Sequence, residues 1–205
     1  MIAIGYKNTL LIMLLHLSLS MLLTVLGGYY MSRKKVMWQK PITVIIVASM
    51  FFSGGIIPMY LTVKGLKLTN TLLAMILPTA LNTFNLILMR TGFDNLPESI
   101  NESARIDGAG HMTILFRICV PLLKPTLAVI ALYYAVQIWN SWFYASIFID
   151  DRKLYPLQLV LREILISNDT ASMTTAASSE DKEMVSETIK YSSIIVSTLP
   201  ILCAY

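Results

Sequence analysis

A chain of 205 residues with 56% hydrophobic and 14% charged side chains lacks the roughly 25% charge with which a soluble domain meets water. Its mean hydropathy is +0.66, and its apolar residues stand in long blocks instead of the periodic stripes of a water-soluble bundle. The formal net charge of +4 does not point to nucleic acid, because no basic patch carries interleaved aromatics.

Residues 8–30 contain no Asp, Glu, Lys or Arg and exceed the roughly 20 residues that cross a bilayer core. The run is too long for the apolar part of a signal peptide and lacks an A-x-A site behind a basic segment, so it reads as a mature span. His16 lies mid-span and His111 lies further on. Single histidines are more often packed groups than proton carriers, and neither is assigned a role. Arg33, Lys34, Lys35 and Lys40 then crowd a short loop, which the positive-inside rule puts in the cytoplasm, leaving the N-terminus outside.

Residues 41–63 and 68–89 are the next uncharged runs. Alternation puts Lys64 and Lys67 outside, against the rule. Gly54, Gly55, Pro58 and Pro78 fall inside these runs and Pro200 inside the last one. Kinks there are tolerated where neighbours satisfy the freed backbone, in transporters and in membrane helices generally. Residues 94–124 return to the cytoplasm, and 125–149 form the fourth run. The acidic segment 150–187 lies outside: an amphipathic helix over 154–166 after Pro156, a mobile Ser/Thr/Ala-rich stretch over 167–179, and a charged helix over 180–190. Residues 191–205 are still apolar at the last position. A chain that begins outside without a cleaved signal and stops within a span is expected to be truncated at both ends.

The expected fold is all-α: one polytopic transmembrane bundle with about five spans. Lipid offers no partner for backbone N–H and C=O groups, and the runs lack the alternation of a membrane β-barrel. Cys119 and Cys203 sit near span edges without metal-ligand spacing and read as packing residues.

Residues 94–125 read DNLPESINESARIDGAGHMTILFRICVPLLKP. Pro97 suits a first helical turn and Glu98 the positive end of a helix dipole, while Asp107-Gly108 stops that helix. Asp107 can cap a second helix over 110–119, which Pro121 should end. The product is a helix-turn-helix elbow between two spans.

Here the chain resembles a known family. Glu102-Ser103-Ala104, Asp107-Gly108-Ala109, Phe116, Ile118, Pro121 and Pro125 are similar to the EAA signature of binding-protein-dependent, MetI-like ABC importer permeases. Ser103 replaces the second-position alanine and Val120 the leucine before proline. The likeness extends to Leu68-x-Asn70-Thr71, Phe84-Asn85, Arg90-x-x-Phe93, Trp139-Asn140-x-Trp142 and Glu187-Thr188, and these features resemble the carbohydrate branch that serves oligosaccharides through a lipoprotein receptor.

The resemblance implies a multi-pass bacterial cell-membrane permease with six spans, one of them preceding this sequence, and a cytoplasmic tail following it. It implies that Glu102, Ser103, Ala104, Asp107, Gly108, Ala109 and Pro121 belong to a coupling helix and turn that dock on a cytoplasmic ATPase dimer. It also implies a homologous second permease and an external solute-binding lipoprotein.

No G-x-x-x-x-G-K-[ST] loop occurs, so the ATP-phosphate cradle must come from a partner, and no cofactor or metal is expected. The complete runs hold no charge, which disfavours a proton-coupled secondary transporter but leaves one that uses neutral groups. Asn82, Asn85, Gln137 and Asn140 can line a path for sugar hydroxyls, since amides donate and accept. They can equally bind helix to helix. Ser18, Ser20, Ser49 and Ser53 have no base nearby in sequence, so nothing supports an intramembrane enzyme.

Overall fold

The computed structural model describes residues 2–33, 36–52, 54–174 and 180–204. Helix α1 (Ile2–Ser32) is unbroken, as a proline-free run of Leu, Met and Ile should be. Its buried positions include Thr9, Ile12, His16, Ser20 and Thr24, while Leu10, Leu14, Leu15 and Leu22 stand exposed. Hydroxyls inward and leucines outward invert the pattern of a soluble helix and suit apolar surroundings.

The next runs are interrupted. α2 (Gln39–Ser49) and α3 (Ile56–Gly65) divide 41–63, with Gly55 at φ +82° ahead of α3 and Pro58 in its first turn, where a missing N–H costs nothing. α4 (Leu73–Ile76) and α5 (Thr83–Asp94) divide 68–89 on either side of Pro78. That proline drives the residue before it out of helical geometry.

α6 (Glu98–Ile106) leads to a helix from His111 to Leu122, made of α7 (His111–Thr113), a π-helical stretch (Ile114–Cys119) and α8 (Val120–Leu122). Pro121 therefore does not stop this helix at Cys119 as expected. The π register just ahead of it reshuffles the ladder, and the chain instead bends by 84° between Leu122 and Lys124.

α9 (Lys124–Trp139) and α10 (Trp142–Phe148) divide 125–149. Asn140 Nδ2 donates to the Val136 carbonyl at 2.9 Å and Ser141 Oγ to that of Ile138 at 2.6 Å, so short polar side chains share the last carbonyls of α9 with the Asn140 and Ser141 amides, which reach the same oxygens at 3.2 and 3.1 Å. A 3₁₀ turn (Arg152–Leu154) precedes α11 (Leu157–Thr174). Residues 167–174 of the stretch expected to be mobile are thus the end of a helix; 175–179 and the Cys203 side chain lie outside what is described. α12 (Glu180–Ala204) joins the charged segment to the last apolar run. Among the described residues α1 is the helix that alone is long and apolar enough to cross a membrane, and no strand occurs.

The chain divides into two compact units. One comprises residues 1–14, 60–76 and 136–205 and centres on Trp139, Leu157 and Leu161, with Tyr6, Met13 and Val196 packed against them. Side chains staple its loop at 150–157: Asn70 Oδ1 accepts from the Asp150 and Asp151 amides at 3.2 and 2.9 Å, Asn8 Nδ2 donates to the Lys153 carbonyl at 2.7 Å, and Thr9 Oγ1 accepts from the Leu157 amide at 2.9 Å.

The other unit comprises residues 15–59 and 77–135. Its core gathers Val25, Tyr29, Met89, Phe93, Ala104, Ile114, Leu115, Cys119, Leu123, Ile130 and Tyr134. Close approach of α1 to α5 requires glycine here: a Cβ on Gly28 would lie 2.9 Å from Met89 Cγ and 3.2 Å from the Arg90 nitrogen.

Candidate functional site

The elbow occupies this second unit. Its first helix starts at Glu98, with Pro97 at the cap position one residue ahead of the first turn. Asn101 and Ala104 turn into the core, one helical turn apart. Glu102, Ser103 and Arg105 face out, and Ile106 is 86% exposed. Ser103 Oγ donates to the Ser99 carbonyl, a use for the hydroxyl that an alanine would not have.

The turn is closed by backbone. The Ala109 amide donates to the Ala104 carbonyl at 2.9 Å and the Gly108 amide to that of Arg105 at 3.0 Å, with Gly108 at φ +78°. This is the paired-bond motif that ends helices through a left-handed residue, completed by apolar contact across it; Ala104 is in the core and Ala109 packs against it. The triplets Glu102-Ser103-Ala104 and Asp107-Gly108-Ala109 are thus one device. Alanines seat the helix, glycine turns the chain, and the charged positions stay outside. Asp107 is the C-cap of α6 and does not cap the next helix, whose N-cap is Gly110 and carries no side-chain bond, because the glycine turn carries the chain away from it. Pro121 lies exposed near the end of the second arm, where Met112 and Phe116 are also exposed.

The end of α1 holds the elbow. Arg33 Nη2 donates to Asn101 Oδ1 at 2.9 Å, and the guanidinium lies 4.2 Å from the centre of the Tyr29 ring. Tyr29 packs edge-on against Phe93 and its hydroxyl donates to the His111 carbonyl at 3.4 Å. Burial pushes the nearby Cys119 thiol upward, opposed by Arg33, and that thiol approaches Asn101 Oδ1 at 3.8 Å. A cavity of about 390 Å³ adjoins these groups, lined in part by Arg33, Glu98, Glu102 and Arg105.

The four amides are split between the units. Asn82 and Asn85 share the start of α5, where Asn82 Oδ1 accepts from the Phe84 and Asn85 amides at 2.9 and 3.3 Å, and Asn85 is buried. Gln137 and Asn140 belong to the other unit, Gln137 half-buried and Asn140 exposed with its amide turned back on its own helix.

A family of membrane transport components described as "Binding-protein-dependent transport system inner membrane component" matches residues 10–204. The chain belongs to this family. Its similar relatives include proteins named as permeases. The polygalacturonan/rhamnogalacturonan transport system permease protein YtcP of Bacillus subtilis is 39% identical over 188 residues, covering 92% of this chain and 66% of that protein. Protein LplC of the same bacterium is 41% identical over 178 residues, covering 87% and 60%. The melibiose/raffinose/stachyose import permease protein MelC, also from Bacillus subtilis, is 30% identical over 162 residues, covering 77% and 59%. In the crystal structure of a bacterial ABC transporter involved in the import of the acidic polysaccharide alginate, a chain 29% identical superposes with a TM-score of 0.87 over 98% of this chain and 72% of that one. This chain therefore has the all-helical, MetI-like permease fold, and it spans 59 to 66% of the length of the three curated relatives.

Sequence reading found the elbow but missed its anchors. Arg33 was legible only as part of a basic loop, and Tyr29 and Asn101 carry no local sign of their pairing, because Arg33 and Asn101 lie 68 positions apart.

Proposed function

We propose that this chain is the membrane-spanning permease subunit of an ATP-binding-cassette importer, passing a carbohydrate, an oligosaccharide in particular, through the bacterial cell membrane. The observation that carries the reading is the elbow: a helix closed by its own backbone that leaves Glu102, Ser103 and a nearly bare Ile106 outward, in a chain of this transport family. An amphipathic helix whose outer face is unused within its own unit is built to enter a groove, and a push on it moves the attached helices as rigid bodies. Glu102, Ser103, Ala104, Asp107, Gly108, Ala109 and Pro121 form the coupling helix and its support on the cytoplasmic side, engaged by one subunit of an ATPase dimer. The sugar preference rests on the relatives, which include a permease for melibiose, raffinose and stachyose.

About five spans, at 8–30, 41–63, 68–89, 125–149 and 191–205, pair with those of a homologous second permease around a path to which Asn82, Asn85, Gln137 and Asn140 contribute. The segment 150–187 meets an external solute-binding lipoprotein, a role supported by the stapling of 150–157 through Asn8, Thr9 and Asn70.

Purification of the full-length protein from detergent-solubilised membranes tests this. Recovery of an ATPase and a second permease in fixed proportion, with sugar uptake that stops on ATP depletion, is the expected result. A lone chain or homodimer whose uptake follows an ion gradient would establish a secondary transporter and end the importer reading.

A further inference from the structure

Between α4 and α5, residues 77–82 leave the helix, and every backbone group freed there needs a partner, since an apolar medium offers none to a stranded N–H or C=O. The Ala80 amide bonds locally to the Leu77 carbonyl at 3.3 Å, and two further partners come from distant helices. His16 Nε2 lies 3.1 Å from the Thr79 carbonyl and 3.2 Å from Thr79 Oγ1. The Asn82 amide donates to the Tyr134 hydroxyl at 3.1 Å, and that hydroxyl lies 2.8 Å from Thr24 Oγ1. Having accepted from Asn82, Tyr134 has its own proton for Thr24. A carbonyl only accepts, so the Thr79 contact assigns the histidine proton to Nε2; Ser20 Oγ lies beside the ring, 3.4 Å from both Nδ1 and Nε2.

His16, Ser20, Thr24 and Tyr134 are all fully buried, and the first three recur every four residues on one face of α1. The rings of His16 and Tyr134 meet edge to face at 5.6 Å. A continuous helix through 77–82 would need none of these groups, so the discontinuity is specified by its neighbours rather than merely tolerated.

What the break holds is Asn82, whose side chain caps α5. From that cap α5 runs 12 residues to Asp94, about 18 Å at 1.5 Å per residue, and α6 follows at Glu98.

We propose that residues 77–82 are a hinge and that His16 and Tyr134 are its positioning residues, fixing the Asn82 end of α5 so that displacement of the elbow reaches Asn82 and Asn85. This rests on the importer reading. Both act by holding the backbone against which α5 turns.

The test compares His16→Leu, His16→Gln and Tyr134→Phe in the complete transporter, reading sugar moved per ATP hydrolysed. His16→Leu and Tyr134→Phe should lower that ratio about tenfold, within the usual span of a coupling effect, while ATPase co-purification is unchanged. His16→Gln, which keeps a donor near the Nε2 position, should recover most of it. Wild-type ratios in both His16→Leu and Tyr134→Phe, or no difference between Gln and Leu at position 16, would overturn the hinge.

Should His16→Leu fail to insert, Tyr134→Phe carries the test, since it removes one oxygen and leaves the ring. Hydrogen exchange at the Asn82 amide gives a reading independent of transport: exchange about threefold faster in Tyr134→Phe is expected, the change for one hydrogen bond between membrane helices, and unchanged exchange would refute the assignment. Absence of ATP-driven uptake in the wild type would refute the importer reading instead, and the exchange measurement would still decide the hinge.

Discussion

The elbow at 98–122 and the break at 77–82 both interrupt helices within the same unit, and they close the interruption by opposite means. At the elbow the backbone closes on itself, Ala109 to Ala104 and Gly108 to Arg105, so outward side chains of α6 such as Glu102 and Ile106 are not spent on closing the turn. At the break the closure is partly borrowed: the Ala80 amide bonds within it, but the Thr79 carbonyl depends on His16 and the Asn82 amide on Tyr134. A self-closed turn keeps its shape when its surroundings move, as a handle must. A turn closed by neighbours changes when they shift, as a hinge must.

The largest expected effect breaks the comparison at the handle. Glu102→Lys reverses an exposed charge, and Gly108→Asp puts a side chain and a charge at a left-handed position; both should leave membrane insertion intact while ATPase co-purification and uptake collapse by more than tenfold, measured side by side in membranes and detergent. Uptake at the wild-type level in both would remove the coupling role.

Next in size is the anchor. Arg33→Ala deletes a charged hydrogen bond to Asn101 and the cover over Tyr29, about 2 kcal/mol of elbow docking. Trypsin cleavage at Arg105 should accelerate accordingly. Arg33→Lys should not restore protection, because an ammonium cannot both reach Asn101 and lie flat on the ring.

A smaller effect separates strain from contact at the turn. A Cβ at Gly108 would meet nothing within 4 Å, so Gly108→Ala should cost only the left-handed backbone penalty, about 1 kcal/mol, and Gly108→Asn less. Detergent unfolding midpoints would show the order, and equal costs would mean that the φ of +78° is not what selects glycine. Smallest of all, Tyr134→Phe should change the unfolding free energy by only about 0.6 kcal/mol, the average for a hydrogen bond between membrane helices. A large loss of global stability there would make the residue a structural pillar and weaken the contrast between handle and hinge.

Much of the handle was legible because its physics is local. Gly108 after Asp107 stops a helix whatever lies around it, and Ala104 and Ala109 are small at two points that the turn brings against the core. The π register ahead of Pro121 was not legible, since it depends on how Ile114, Leu115 and Cys119 pack into that core. His16 drew no role from the sequence because an isolated histidine does not announce a carbonyl 63 positions away. Pro78 marked the site of the break, but only packing showed which groups it strands and which helices answer them.

By itself the sequence determined an all-helical chain for apolar surroundings, the uncharged runs, and a glycine-turned elbow, because composition and helix-stop chemistry act over a few residues. Tertiary structure alone decided that Arg33 anchors the elbow, that three of the expected continuous runs are divided, and that His16 and Tyr134 complete the break at 77–82. Such hydrogen bonds join residues far apart in the chain, and their partners are chosen only when helices pack and leave no water to satisfy what remains.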